Sequence, residues 1–258
     1  SASGPLTLQA GDAITLNLGA IHGTTVTLTA NHDGATDGVA GAITQTGGAI
    51  TADTLSMQAA GISLESASNA FTAVTLTNAA GAVGVFDTGP LALGAITQND
   101  TGVVAIVTTG AITQTAPLSR GTGAGFNLAV GTTLDAGADI TLTQPNDIGT
   151  GNITLQAMNS AGTAAAAGAI TYTSAGNIAA DTIQTTANVT LSAPTGAITQ
   201  VGGAGTGIQA AGLAVTAQSI TLNATDLGAS LNAFSALSVT ASGAGTSDIR
   251  TQAVGGLK

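Results

Sequence analysis

Apolar and polar residues alternate one by one in short runs along most of this chain. Ile14-Thr15-Leu16-Asn17-Leu18 places Ile14, Leu16 and Leu18 on one side and Thr15 and Asn17 on the other. The same period of two recurs at 26–29, 62–65, 74–77, 140–143, 153–156, 189–192 and 220–223. Strict alternation over four to eight residues specifies a strand with one buried face. Gly, Asn, Asp and Pro between the runs supply turns. No stretch carries a 3.6-residue apolar period with caps at both ends, and glycine interrupts nearly every candidate, so no helix is expected.

The strands are embedded in repeated words. Gly-Ala-Ile-Thr-Gln begins at Gly41, Gly94, Gly110 and Gly196, and a near copy, Gly-Ala-Ile-Thr-Tyr, begins at Gly168. Two of the copies, at Gly41 and Gly196, continue as GAITQ-x-GGA and later reach Asn-Ala-Phe, at Asn69 and Asn232. The offset from word to word is 28 residues in the first unit and 36 in the second, as if eight residues loop out of a shared frame. Spacings of 53, 16, 58 and 28 residues between successive words are too irregular for propeller blades. A sandwich needs a bulkier core and rarely repeats itself verbatim. A coil that restores its strands turn after turn while releasing loops of varying length accommodates both features. The expected fold is therefore all-β: a right-handed parallel β-helix (β-solenoid) running through 1–258 as one continuous segment. At roughly 20 residues per turn it would make about a dozen turns.

Composition narrows the interior. Only 6% of residues are charged and 2% aromatic, with four Phe, one Tyr and no Trp, whereas Gly numbers 37. Small and β-branched side chains suit a narrow, repetitive lumen, and their abundance argues against disorder. Thirteen acidic residues face three basic ones, Arg120, Arg250 and Lys258, for a net charge of -10. That balance repels nucleic acid and anionic lipid headgroups. The scattered acids read as solubility charge. With no Cys, neither disulfides nor thiolate chemistry is available. No run approaches the roughly 18 apolar residues of a membrane-spanning helix, and the absence of a leader reads as a mature piece of a longer protein.

The words GAITQTGGAITADTL at 41–55, ISLESASNAFTAVTLTNAAGAVGVFDTGPLALGAITQ at 62–98, GNITLQA at 151–157 and ITLNA at 220–224 resemble the shaft repeats of filamentous haemagglutinin-type adhesins. These are large bacterial surface proteins exported by two-partner secretion. The resemblance covers nearly the whole chain and implies an extended β-helical shaft outside a Gram-negative outer membrane. The Asn-Pro-Asn signature of that family's secretion domain is absent, so the export route is implied for the parent protein only. Shaft repeats carry no functional residue to transfer.

Candidate chemistry is sparse. Arg120, in the turn-like segment Pro117-Leu118-Ser119-Arg120-Gly121, is the one interior cation a polysaccharide lyase would have, and it reads better as a solvated loop residue. Asp135 and Asp139, with Asp147 beyond, are the nearest approach to a hydrolase's paired carboxylates. They sit beside Gly137 and Asn146 without an aromatic sugar platform, as turn formers do. Asn31-His32-Asp33-Gly34-Ala35-Thr36-Asp37-Gly38 offers oxygen ligands but neither known calcium-loop pattern. His22 and His32 lack Cys or Glu partners for zinc, and 202–207 lacks the Lys-Ser/Thr ending of a phosphate loop. Thr-x-Thr runs starting at Thr25, Thr75, Thr141 and Thr171 suggest an ice-binding threonine face. Their spacings of 50, 66 and 30 residues argue against a continuous one.

The sequence thus predicts a non-enzymatic structural shaft, with no catalytic, cofactor or metal site. Its expected setting is extracellular, at the cell surface, where it holds a distal binding or effector region away from the cell. A carbohydrate-active β-helix enzyme and an ice-binding β-solenoid are the alternatives. Expected partners are neighbouring rungs of the parent chain or end-to-end copies, and a host or neighbouring-cell receptor or glycan. Neither nucleic acid nor membrane insertion is expected. Leu6-Thr7-Leu8 and Ile249–Val254 continue the strand pattern rather than capping it, so the isolated ends should fray or associate end to end.

Overall fold

Alternation becomes architecture through parallel pairing. The computed structural model describes residues 4–17, 19–30, 41–120, 126–130, 139–147, 152–157, 168–201, 207–223, 225–226, 229–230, 232–243 and 247–250. Among them are 24 strands and no helix. Twenty-two strands form one sheet in which every pairing is parallel, coiled as a β-solenoid of about eight turns.

Each turn lays its inward residues on those of the turn before. Ile14, Ile43, Ile62, Val83, Val104, Phe126 and Ile153 pair in succession, and all seven are buried. A second column runs Leu6, Val26, Leu55, Val74, Leu93. Beside it stand Leu8, Leu28, Met57, Leu76, Ile96 and Leu118. Farther along, Leu91, Ile112, Ile140, Ile170, Val189, Leu213 and Leu237 form another. Burial of these stacked aliphatic side chains is the main source of stability, because each turn hides the apolar face of the next.

The turns are longer than expected. Along the first column they take 29, 19, 21, 21, 22 and 27 residues, a mean of about 23 against the roughly 20 expected. A coil needs register only at its strands, and the connections between them vary freely in length. The eight extra residues of the second long unit illustrate this. Five residues separate Leu64 from Asn69 and ten separate Leu222 from Asn232; within the longer connection Thr225–Asp226 and Ala229–Ser230 pair as a small antiparallel ribbon outside the main sheet. The other three lie between Gln200 and Ile220, against Gln45 and Ile62 in the first unit.

The repeated word does not mark one position in the coil. Ile43, Ile96, Ile112 and Ile198 are each 0% exposed, yet they stand in four different columns. The irregular spacing therefore has two causes: loops of unequal length, and one pentapeptide used at several places around the turn.

Candidate functional site

A strand satisfies its backbone groups through the turns on either side, but a corner interrupts the ladder and leaves buried N–H and C=O groups to be paired. Side-chain amides perform this task. Gln45 Nε2 donates to Asn69 Oδ1 at 2.9 Å and Asn69 Nδ2 returns a bond to Gln45 Oε1 at 2.8 Å. Asn69 Oδ1 also accepts from the Ile50 N–H at 3.0 Å, and its Nδ2 donates to the Leu64 carbonyl.

Two further clasps share this design. Gln114 and Asn146 exchange amide bonds while Asn146 accepts from Leu118 N at 2.8 Å and donates to Thr173 O at 2.9 Å. Gln200 and Asn232 exchange bonds of 2.7 and 2.9 Å while Asn232 accepts from Ile208 N and donates to Leu222 O. Asn69, Asn146 and Asn232 are all 0% exposed. The glutamine is in every case the last residue of the GAITQ word. The fourth copy works in the opposite sense: Gln98 accepts from Asn78 Nδ2 at 2.9 Å and donates to the carbonyls of Gly81 and Gly102. In the near copy the position is Tyr172, fully buried between Leu142 and Leu191, with its hydroxyl unpaired. Burial, reinforced by the charge of Asp147, raises the pKa of that phenol well above its ordinary value.

The candidate catalytic residues are dispersed. Leu118–Arg120 is a strand in register with Ile96, Thr97 and Gln98, which corrects the expected turn: Leu118 is an inward core residue and fixes the segment in the ladder. Asp139 is exposed, and its Oδ1 accepts from the Ala169 N–H of the following turn at 2.7 Å. Asp147 lies past the far end of the seven-residue strand Ile140–Asn146. At ~3.3 Å per residue that strand spans on the order of 20 Å, well over the ~9.5 Å upper limit for a glycosidase pair. Asp135, residues 31–38 with His32, and 202–206 lie outside the described residues. His22 is exposed, beside Thr51 of the next turn. Among the described residues no group of three His, Cys, Asp or Glu side chains comes together. A surface hollow of about 400 Å³ has Glu65 as its one carboxylate and is lined by small residues such as Ala42, Gly61 and Gly84.

Two of the four threonine runs stack, those at Thr141 and Thr171, whereas Thr25 lies beside Thr54 and Thr75 beside Ser56. Thr141 pairs with Thr171, Thr171 with Thr190, Thr190 with Ala214 and Ala214 with Ser238. Two residues along each strand, Thr173 pairs with Ser192, Ser192 with Thr216 and Thr216 with Thr240. All of these positions are exposed or half-buried, and none is charged. Sequence distance does not measure stacking in a coil whose turns differ in length.

Residues 80–156 match a family described as repeats of unknown function (DUF5649). No curated protein and no solved structure matches the chain. The matched stretch carries Gln98, Gln114 and Asn146, three members of the amide clasps, and a repeat family accords with stacked turns of one solenoid.

Proposed function

We propose that this chain is a segment of the shaft of a secreted, cell-surface filament of the filamentous haemagglutinin type. The observation that carries the reading is a parallel ladder through 22 of the described strands, with corners closed by buried amide pairs, together with the resemblance of the repeated words to adhesin shafts. About eight turns at ~4.8 Å each carry the coil on the order of 40 Å along its axis. A rod of this kind acts by length and rigidity, and holds a distal binding or effector region off the cell. Its own contacts are adjoining rungs of the parent chain or end-to-end copies, while a host receptor or glycan is met elsewhere. The shaft lies outside the Gram-negative outer membrane and performs no catalysis.

Two measurements test this. Antibody against the segment should label intact cells of the source bacterium and lose its target on mild surface proteolysis; labelling confined to permeabilised cells would overturn the reading. The purified chain should leave acidic and neutral polysaccharides intact, with or without Ca²⁺. Turnover abolished by changing Asp135, Asp139 or Arg120 would replace the shaft with an enzyme.

The aligned threonine columns favour a second reading, an ice-binding solenoid. Two parallel rows of hydroxyl and methyl groups at the fixed spacings of a sheet offer ordered water a regular template. Growth of ice crystals with altered facets in dilute protein, lost on Thr171→Tyr with Thr190→Tyr, is the expected sign. Unaltered crystals at high protein concentration would dismiss it.

A further inference from the structure

We infer that Asp87 is a proton-operated joint in the wall of the coil, fastening three successive turns when it carries its proton and releasing one of them when it does not. Asn69, Asp87 and Thr108 occupy the same corner in consecutive turns: Thr88 N donates to Asn69 O at 2.8 Å, and Thr109 N donates to Asp87 O at 3.2 Å. Asn69 Oδ1 accepts the Ile50 N–H there, and Asp87 Oδ1 accepts the equivalent Phe71 N–H at 2.6 Å. An amide suffices for that task in the preceding turn. A carboxyl in its place, 0% exposed, adds only one property, the ability to titrate.

The second oxygen shows what the proton does. Asp87 Oδ2 lies 3.2 Å from Thr108 Oγ1, which is also in very short contact with the Gly89 carbonyl and accepts from Gly110 N at 3.3 Å. Thr108 has one hydroxyl proton and two acceptors competing for it. With the carboxyl protonated, the chain closes: Asp87 Oδ2–H donates to Thr108 Oγ1, whose proton goes to Gly89 O. With the carboxyl ionised, its proton lost to solvent, the threonine proton serves either Asp87 or Gly89 and the other acceptor is left bare.

Among the described residues, no cation on the surrounding elements offsets the charge. The strands Ile62–Leu64 and Val104–Thr108, and the segments 69–71 and 88–90, contain no other titratable side chain. Glu65, next to Leu64, lies over Gly84 on the outward side of the sheet, and Asp53 lies on the outer wall beside Phe71 and Gly89; both are acids. Burial accordingly lifts the Asp87 carboxyl from 3.8 to about 6, against the lowering effect of the bonds from Phe71, Thr108 and Thr88. The folded chain therefore binds a proton that the unfolded chain has released between those values. The joint's contribution is complete below pH ~4 and is lost as pH rises through about 6. Gly89 and Phe71 also line a surface hollow with Asp53 and Pro90, so release is transmitted to the outer wall.

The test is the carboxyl ¹³C resonance of Asp87 followed with pH, together with exchange of the Phe71, Thr109 and Gly110 amides corrected for intrinsic base catalysis. The resonance should titrate near pH 6, and between pH 4 and pH 7 the folding equilibrium constant should fall roughly fiftyfold on account of this residue. Asp87→Asn should keep Phe71 protected and remove the step. An Asp87 resonance that titrates near 3.8, or an Asp87→Asn chain with the same pH profile as the parent, would overturn the inference. If Asp87→Asn fails to fold, the titration of the unaltered chain decides alone.

Discussion

Gln45 and Asn69 stand 24 residues apart and exchange two amide hydrogen bonds, so that the end of one repeated word closes on the start of another. The pair explains why GAITQ and Asn-Ala-Phe travel together in both long units: Gln200 and Asn232 repeat it across 32 residues. Because Asn69 also caps the buried Ile50 N–H, replacing it strands more than its partner. Asn69→Leu is expected to cost about 1–3 kcal/mol, since a buried donor left unpaired bears its full desolvation penalty. Gln45→Leu, with the glutamine half-buried, should cost less. The double variant should be less destabilised than the sum, and equilibrium denaturation of the four chains measures the coupling. Strict additivity would mean that the two amides act independently.

Leu76 tests the apolar columns. It is 2% exposed between Met57 and Ile96 of the neighbouring turns. Leu76→Asp buries a carboxylate with no cation beside it, at a cost of several kcal/mol, and should unfold the chain or raise that carboxyl's affinity for a proton sharply. Leu76→Ala, which only opens a cavity, should cost about 2–5 kcal/mol. Far-ultraviolet circular dichroism through a denaturant series separates the two outcomes.

Much of this was legible in the sequence because alternation is local. The runs at 26–29, 74–77 and 189–192 announce their inward residues, and each is buried as expected. What the sequence concealed is non-local. Which strand stacks on which depends on the length of every intervening loop, so the threonine columns could not be recognised from spacing. Corners break the period of two and turn polar residues inward. Asn69, Asn146 and Asn232 therefore resemble ordinary turn formers, and Asp87 passes for one more solubility charge. A regularity was nevertheless available: Gln at the end of one word and Asn at the start of the other recur together, and a polar pair that recurs with an apolar frame is a hydrogen-bond partnership in waiting.

Tyr172 occupies the position that glutamine holds in the other words, without a bond to its hydroxyl. Tyr172→Phe removes a buried, unpaired polar atom and keeps the ring, so it should raise stability by about 1 kcal/mol. As the chain's one tyrosine it is also its own probe. Burial raises its pKa, so phenolate absorbance should not develop in the ordinary alkaline range and should appear together with loss of the fold. An early, reversible phenolate signal in folded protein would contradict the placement.

The ribbon between Leu222 and Asn232 gives the sharpest test of the claim that the coil tolerates what leaves it. Deleting residues 224–228 brings Asn232 to five residues from Leu222, the separation of Asn69 from Leu64 in the first unit. The deletion removes the Thr225–Asp226 strand and its antiparallel partner pairing but no member of the parallel ladder. Shortening a surface loop changes closure entropy by only a fraction of 1 kcal/mol to about 1 kcal/mol, so the deleted chain should fold with nearly unchanged stability. The Gln200–Asn232 clasp should persist, and protection of the Ile208 amide, which bonds to Asn232 Oδ1 at 3.0 Å, reports it directly. Loss of that protection in an otherwise folded chain would show that the ribbon positions Asn232, and that the second unit is not the first unit with an insertion.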